Sequence, residues 1–532
     1  MSFKTNEAQQ ISLNDAFLNL TERERKALQN SWAETFSEEL FPAIDEKPFN
    51  VLYSDKASRP NTPVNVIIGA LIIKELFDLS DDEMVENLML DLHYQYALHT
   101  TSFEEQPLSD KTLARFRRRC YDYETLTGKD LYHDCIESLG GHIAKLMGIN
   151  QRIKRMDSMM IEANMKKLSR LELLYVCVAR AAMLVNAEQK DLLPENLRHY
   201  CEKDDYNRVI YHTRNEDSEE KIIAVLSDAD ALLERCSGKY EDSTEYRLLV
   251  RCLSEQTVVE EGIRRLRTKE DGTMTSDMMQ NPSDPEATFR RKAGKEHRGY
   301  AANLEESVGE KGSVVTGYQY DDNTRSDSSF LKESIENTEK ADETAVLVTD
   351  GAYSGEDNRK LAAEKNIELV TTDLLGKEAP DIYADFEYDE EGKKVTRCPA
   401  GYEPKNSSYS PSTGQCTVSF EKSKCEHCRF RDKCHPKIYK RVAKLVISKK
   451  ASDRAAYART MHTERFRNLA RIRNGIETVP SVLRKVYHVD RMPRGKQRGK
   501  FFFGSKIGAF NFRKLFSFRK GLGHYAENPL IA

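Results

Sequence analysis

At 532 residues, 39% of them hydrophobic and 32% charged, the chain is long enough for several domains with cores of their own. The longest apolar stretch, VNVIIGALIIKELF, is too short to span a bilayer and is broken by Lys74, while MSFKTNEAQQ lacks the basic-then-apolar pattern of a secretory signal; no membrane is expected, and a cytoplasmic location with reduced thiols is. The formal charge of −4 hides an asymmetry: between Ile438 and Lys520 stand 23 Lys or Arg against four acids, Asp453, Glu464, Glu477 and Asp490. Such segregation is the electrostatic footprint of a protein that meets a polyanion, and the aromatics interleaved in GKQRGKFFFGSKIGAFNFRKLF point to nucleic acid.

Residues 1–45 read as a polar N-terminal arm with an amphipathic helix in LNDAFLNLTERERKALQNSWAETF, where Thr21 and Glu24 have capping-box spacing. Residues 46–148 are helical, in three segments: RPNTPVNVIIGALIIKELFDLS, SDDEMVENLMLDLHYQYALH and LSDKTLARFRRRCYDYETLTG. Each is expected to open on a Ser, Thr or Asp cap. The third sets Lys111, Arg115, Arg117, Arg118 and Arg119 around an apolar face of Leu113 and Phe116, as a DNA-binding helix of helix-turn-helix type would. A packed helical bundle with a basic rim accounts for the same residues.

A strand follows in KRMDSMMI, carrying Asp157, and then a helical block at 165–282 that includes LELLYVCVARAAMLVNAEQ, EKIIAVLSDADALLERCSG and TEYRLLVRCLSEQTVVEEGIRRL. Its Cys177, Cys201, Cys236 and Cys252 have no ligand-like spacing and read as small core residues. The sheet resumes near Pro285. EHRGYAANLEESV and GSVVTGYQYDD alternate as antiparallel strands about VGEKGS, DSSFLKESIENTEK is a helix, AVLVTDGAYSG a buried strand ending on Asp350, EDNRKLAAEKN a helix and IELVTTDL a strand. Strand, strand, strand, helix, strand, helix, strand is the order of a ribonuclease H-like mixed sheet, so the fold class is α/β, its core at 149–164 and 283–380 interrupted by the helical insertion.

Asp157 falls on the first strand of that order and Asp350 on the fourth, and Glu477 in RIRNGIETV follows a basic helical stretch within the C-terminal part, 438–532. A carboxylate in such a place needs a reason, because burying an unpaired charge is costly. Hard divalent cations held by a few carboxylates and by substrate phosphate oxygens are the usual compensation. Glu464 in HTERFRNL competes for the third position, but Glu477 has the better spacing to Arg473.

Between the core and that basic part, 381–437 holds Cys398, Cys416, Cys425, Cys428 and Cys434 in RCPAGYEPKNSSYSPSTGQC and KCEHCRFRDKCHP. CxxC followed by CxxxxxC suits a tetrahedral structural zinc ion, here on Cys398, Cys425, Cys428 and Cys434, with Cys416, His427 and His435 as replacements. Four thiolates would leave no open position for catalysis, and the ion would staple a loop with little core of its own. Free thiols in a surface loop are the other reading.

The chain resembles the DDE transposases of bacterial insertion sequences, in the branch with an InsH-like (DUF772-type) helical N-terminal domain. RPNTPVNVIIGALIIKELFDLSDDEMVENLMLDLHYQYALH with SDKTLARFR is similar to that domain; KRMDSMMIEAN, DPEATFRRKAGKEHRGYAANLEESV and VTDGAYSGEDN are similar to the segments around the first two acids. Arg473, Glu477 and Arg484 are similar to the family's Arg, Glu, Lys signature, with two departures: Ala470 stands where Tyr is usual, and Arg484, beside Lys485, where Lys is. The resemblance spans roughly 60–520 except the inserted helices. It implies that Asp157, Asp350 and Glu477 hold two Mg2+ (or Mn2+) ions and that Arg473, Arg484 and Lys485 hold DNA phosphates. It further implies double-stranded DNA partners, namely terminal inverted repeats and target DNA, at least a homodimer in the synaptic complex, and nucleoid association when DNA is bound.

Overall fold

The computed structural model describes residues 1–6, 15–56, 58–103, 105–211, 218–272, 274–292, 294–340, 342–373 and 378–521. The start of the N-terminal arm at 7–14, including the first two residues of its amphipathic patch, Leu374 at the end of IELVTTDL, and the C-terminal 522–532 lie outside the described residues. Two compact units emerge, one of Met1–Asn150, Ser158–Ser326 and Thr478–Ala532, the other of Gln151–Asp157 and Asp327–Glu477. The fold is a mixture of helix and sheet with a helical N-terminus, and strand β1 (Ile153–Glu162) contributes its first half to the second unit and its second half to the first.

In the first unit the expected caps hold for most helices. Thr21 and Glu24 close a capping box on Glu22–Gln29, Ser80 and Glu83 do the same for Asp81–Leu90, and Ser109 caps Asp110–Thr127, which stops at left-handed Gly128. Val64–Leu76 departs from that expectation: it follows Pro63 and has no side-chain cap of its own. Glu46 supplies the missing acceptor from a distance in sequence, taking the Val64 N–H at 2.8 Å and the Asn65 N–H at 3.3 Å.

The helical block after β1 has an independent core, in which Leu174, Val178 and Ala182 of Arg170–Glu188 meet Leu226 and Ala229 of Ser218–Cys236 and Leu249 of Thr244–Gln256. Cys177, Cys236 and Cys252 lie inside that core and Cys201 packs against it. The block is not wholly helical, however. The stretch read as one long helix ends at Gln256 and turns into a hairpin of β2 (Thr257–Glu260) and β3 (Ile263–Leu266). Thr257, Val258 and Val259 favour a strand, and Glu261 and Gly262, both at positive φ, make the two-residue turn.

Strands β4 (Thr288–Lys292), β5 (Lys295–Gly309) and β6 (Gly312–Asp322) form an antiparallel set, with the expected turn between β5 and β6. β5 lies next to the second half of β1, and Gly299 is required there: a Cβ would run into the Ile161 carbonyl. Lys496–Arg519 overturns its sequence reading. Phe503, Phe510, Phe512 and Leu515 are buried, and its lysines are internal ion pairs, Lys506 with Glu75 at 2.5 Å and Lys514 with Glu306 at 2.6 Å. A Cβ at Gly504 would strike the Tyr318 hydroxyl, so glycine lets the helix sink onto its neighbours. The buried aromatics are core rather than base-stacking platforms, and a helix buried on nearly every side, polar residues included, carries no amphipathic period to announce this.

The second unit builds on three parallel strands, the first half of β1, β7 (Ala345–Thr349) and β8 (Ile367–Thr371). Leu347 and Leu369 face Leu331, Ile335 and Ala362 from the helices Asp327–Asn337 and Glu356–Glu364. Val348 and Val370 face Phe466 and Leu469 of Glu464–Asn474. Burial on both faces is why AVLVT is continuously apolar. Further on come the paired strands β9 (Glu387–Tyr388) and β10 (Val395–Arg397), then a four-stranded sheet of β11 (Asn406–Ser410), β12 (Gln415–Glu421), β13 (Lys437–Ile438) and β14 (Val442–Ile447). Phe386, Val395, Val418, Phe420, Leu445 and Ile447 give this Cys-rich part a core of its own, contrary to the expectation of a loop.

Candidate active site

β1 and β7 run parallel with Arg155 opposite Val348, and Asp157 and Asp350 each come two residues later. Matched register therefore brings the two acids to the same level, Asp350 just past the end of β7 and Asp157 midway along β1, where its parallel pairing with β7 has ended. Asp350 is held by local geometry: it caps the short turn Gly351–Tyr353 and accepts the Ala352 N–H at 2.9 Å. Gly351 lies against the Asp373 carbonyl, too close for a Cβ.

Glu477 closes a short helical turn, Gly475–Glu477, between Glu464–Asn474 and a new helix, Thr478–Lys485. Pro480 falls in the first turn of that new helix, where its missing N–H costs nothing. Arg155 fastens the preceding helix end by donating to the Ile472 carbonyl at 2.6 Å, and Gly475 leaves room for its guanidinium.

The Arg473 guanidinium, on a side chain only 12% exposed, then gathers all three acids: Glu477 at 2.6 Å, Asp157 at 3.4 Å and Asp350 at 3.7 Å. Its Nε is buried without a partner. Glu464, at the far end of the same helix, is exposed and opens that helix. The donor set, three hard carboxylates already clustered about a positive charge, is chemically suited to a divalent cation. As they stand, no three His, Cys, Asp or Glu side chains among the described residues are disposed to hold a metal ion: a guanidinium lies among the three acids, and Cys398, Cys425, Cys428 and Cys434 are not drawn together as ligands either.

The basic residues read from the sequence divide. Arg115 and Arg118 are exposed, whereas Arg117 is buried and bound through both terminal nitrogens to Asp81 at 2.5 and 2.7 Å, and Arg119 lies over the Tyr53 ring at 4.7 Å. Arg117 is thus a structural residue, and the expectation that it meets phosphate is corrected. Burial by itself would raise the Asp81 carboxyl, but Arg117 and Lys74 bring it down to about 2. Arg484 does not share a helix with Glu477, as a common face would require. It donates to the Met160 carbonyl and pairs with Asp490 at 3.5 Å, while Lys485 is exposed at the helix end.

Cys398, Cys425, Cys428 and Cys434 line one small cavity of about 30 Å³ beside Phe386 and Phe420. The Phe430 N–H donates to Cys428 Sγ at 3.4 Å, and Gly401 closes a tight turn onto the Cys398 carbonyl at 2.8 Å. Burial, followed by the neighbouring thiols, pushes Cys425 up to about 11 and Cys434 up to about 12. Cys416 stands apart, buried against the Ser407 hydroxyl at 3.2 Å.

Sequence reasoning missed Arg155 and Gly475. The one signal available was a glycine between Arg473 and Glu477, at a point where a continuous helix would not want one.

Comparison with known protein families gives two matches: residues 24–119 match the transposase domain DUF772 and residues 397–516 match the transposase DDE domain, so the chain carries two domains typical of transposases. The first match contains Arg115, Arg117, Arg118 and Arg119; the second contains the four cavity cysteines, Arg473 and Glu477. No curated protein and no solved structure gives a significant match.

Proposed function

We propose that the chain cuts DNA at the ends of an insertion sequence and joins the freed 3′-hydroxyls to target DNA, with Asp157, Asp350 and Glu477 as the metal-binding acids of a ribonuclease H-like core. The observation that carries this reading is the convergence of three acids, remote in sequence, on one guanidinium. When bound, two Mg2+ or Mn2+ ions would supply Lewis acidity at the scissile phosphate and lower the pKa of the attacking hydroxyl. The carboxylates would hold that charge, with Asp350 fixed by its bond to the Ala352 N–H and Glu477, 63% exposed, free to adjust.

Arg473 has a second task in this reading. Released from the acids, its planar guanidinium is suited to a phosphate oxygen pair, so the cation that pairs with the three acids becomes a substrate clamp. Water, and then the 3′-hydroxyl, is the nucleophile in an in-line displacement, and no side chain becomes covalently attached. Exposed Arg115, Arg118 and Lys485 would add phosphate contacts that position the duplex without reading it.

The cysteine cavity would hold a structural zinc ion through Cys398, Cys425, Cys428 and Cys434, and the soft, all-sulfur donor set supports that choice of metal. The test of the function is a strand-joining assay. Purified protein, pre-cut element-end DNA with a free 3′-hydroxyl and a supercoiled target plasmid should give joined products only with Mg2+ or Mn2+. Metal-dependent nicking without joining would make the chain a nuclease, and no metal-dependent reaction at all would sink the assignment.

A further inference from the structure

In the first unit an open cleft of about 1050 Å³ lies between the inserted helical block and the β4–β5 hairpin. Five cations line it, Arg170, Lys269, Arg290, Arg291 and Arg298, against the single acid Glu296. Arg290 donates to the Asn323 and Arg325 carbonyls, both at 2.9 Å, and Arg170 to Gln256 and the Arg267 carbonyl. These bonds fix the two side chains in place and leave their charges unneutralised. Among the described residues no carboxylate pairs with Lys269 or Arg291, and both are exposed; Arg298 reaches Glu296 only at 3.7 Å, and its Nε is buried without a partner.

The cleft is not merely basic. Met274, 44% exposed, and Phe289 stand among the cations, so its wall offers apolar surface beside positive charge. A duplex presents phosphates and hides the faces of its bases, whereas an unpaired strand presents both. The register of the hairpin sets Phe289 opposite Arg298 and Arg291 opposite Glu296 on one face, so a ring and a free cation alternate along the edge strand at two-residue spacing.

We propose that this cleft binds unpaired DNA, with phosphates on Lys269 and Arg291 and bases against Met274 and Phe289. The proposal rests on the reading that the substrate is DNA and adds a subsite that none of the residues of the acid cluster forms. An unstacked base against a flexible thioether and a ring edge needs no sequence preference, so the site would hold a strand irrespective of its bases.

The experiment is fluorescence anisotropy with the full-length protein, a labelled oligothymidylate and a labelled duplex, repeated across a salt series. Lys269→Ala/Arg291→Ala should weaken oligothymidylate binding about tenfold and lower the slope of log affinity against log salt by about 1.4, the loss of two single-strand phosphate contacts. Met274→Ala should weaken it about fivefold with the slope unchanged, the signature of a base contact. Duplex affinity should change little in either variant, and because the three side chains are exposed, thermal stability should stay at the wild-type value. Unchanged oligothymidylate binding in both variants overturns the cleft while leaving the DNA reading intact. An equal loss for duplex and single strand overturns the preference for unpaired DNA. A wild-type protein that binds neither form removes the DNA reading and the cleft together.

Discussion

Replacing Arg473 with alanine removes a cation that reaches all three acids, and the structure sets the scale of the effect. Its guanidinium stands 3.4 Å from Asp157 and 3.7 Å from Asp350, both largely buried, and 2.6 Å from the more exposed Glu477. At an effective dielectric near 20, each of the two aspartate pairings is worth about 4 kcal/mol of raw attraction, from which the desolvation of the guanidinium must be taken. Truncating one partner of a buried pair costs about 3–5 kcal/mol, and the exposed Glu477 pair adds at most about 1. Since the two aspartates keep some contact with water, Arg473→Ala should lose about 2–4 kcal/mol. Saturating Mg2+, at a hundred times its Kd, should return about 2.7 kcal/mol to the variant by binding only the folded site. Wild type should gain less, because the ion must first displace the guanidinium. Thermal unfolding of both proteins with and without Mg2+ measures the difference. A variant as stable as wild type, or equal stabilisation of the two by Mg2+, would refute the counter-ion reading.

Three other outcomes follow from the geometry. Asp81 is held at about 2 in the folded chain against about 3.9 when free, so its contribution is complete above the higher value and disappears as pH falls through the lower; urea titrations of wild type and Asp81→Asn should differ by about 1–2 kcal/mol at neutral pH and converge near pH 2. Lys514→Met should cost about 3–5 kcal/mol by taking the cation from buried Glu306, and Lys514→Met/Glu306→Gln should recover most of it, so a single variant that unfolds like wild type in urea would contradict the buried pair. Purified protein should carry one tightly held zinc ion per chain by metal analysis, lost in Cys425→Ser but retained in Cys416→Ser; equal zinc in the two variants would remove the four-cysteine assignment.

Much of the fold could be read from local pattern, and its failures have physical causes. The caps at Ser80, Ser109 and Thr21 were visible because each acts within its own turn, while the Glu46 cap on Val64 was not, since its partner lies eighteen residues away. Asp157 and Asp350 stood out as acids interrupting apolar runs, and the parallel register of β1 with β7 accounts for their shared level. The Lys496–Arg519 helix misled because charge is counted in a sequence but pairing is not: Lys506, Lys514, Lys500 and Lys496 each have acidic partners far off in the sequence. Arg117 misled for the same reason, its partner Asp81 sitting on another helix. The spacing of Arg473 to Glu477 correctly put them side by side, one helical turn apart, but nothing in it hinted that the same guanidinium also reaches both aspartates.

The most direct test of the central claim is DNA cleavage by Asp157→Asn, Asp350→Asn and Glu477→Gln, each compared with wild type on element-end DNA in Mg2+ and each checked for DNA binding. If the three acids form one metal site, every variant should bind DNA as wild type does and none should cut. A variant that binds and cuts at the wild-type rate would remove that acid from the site and contradict the account.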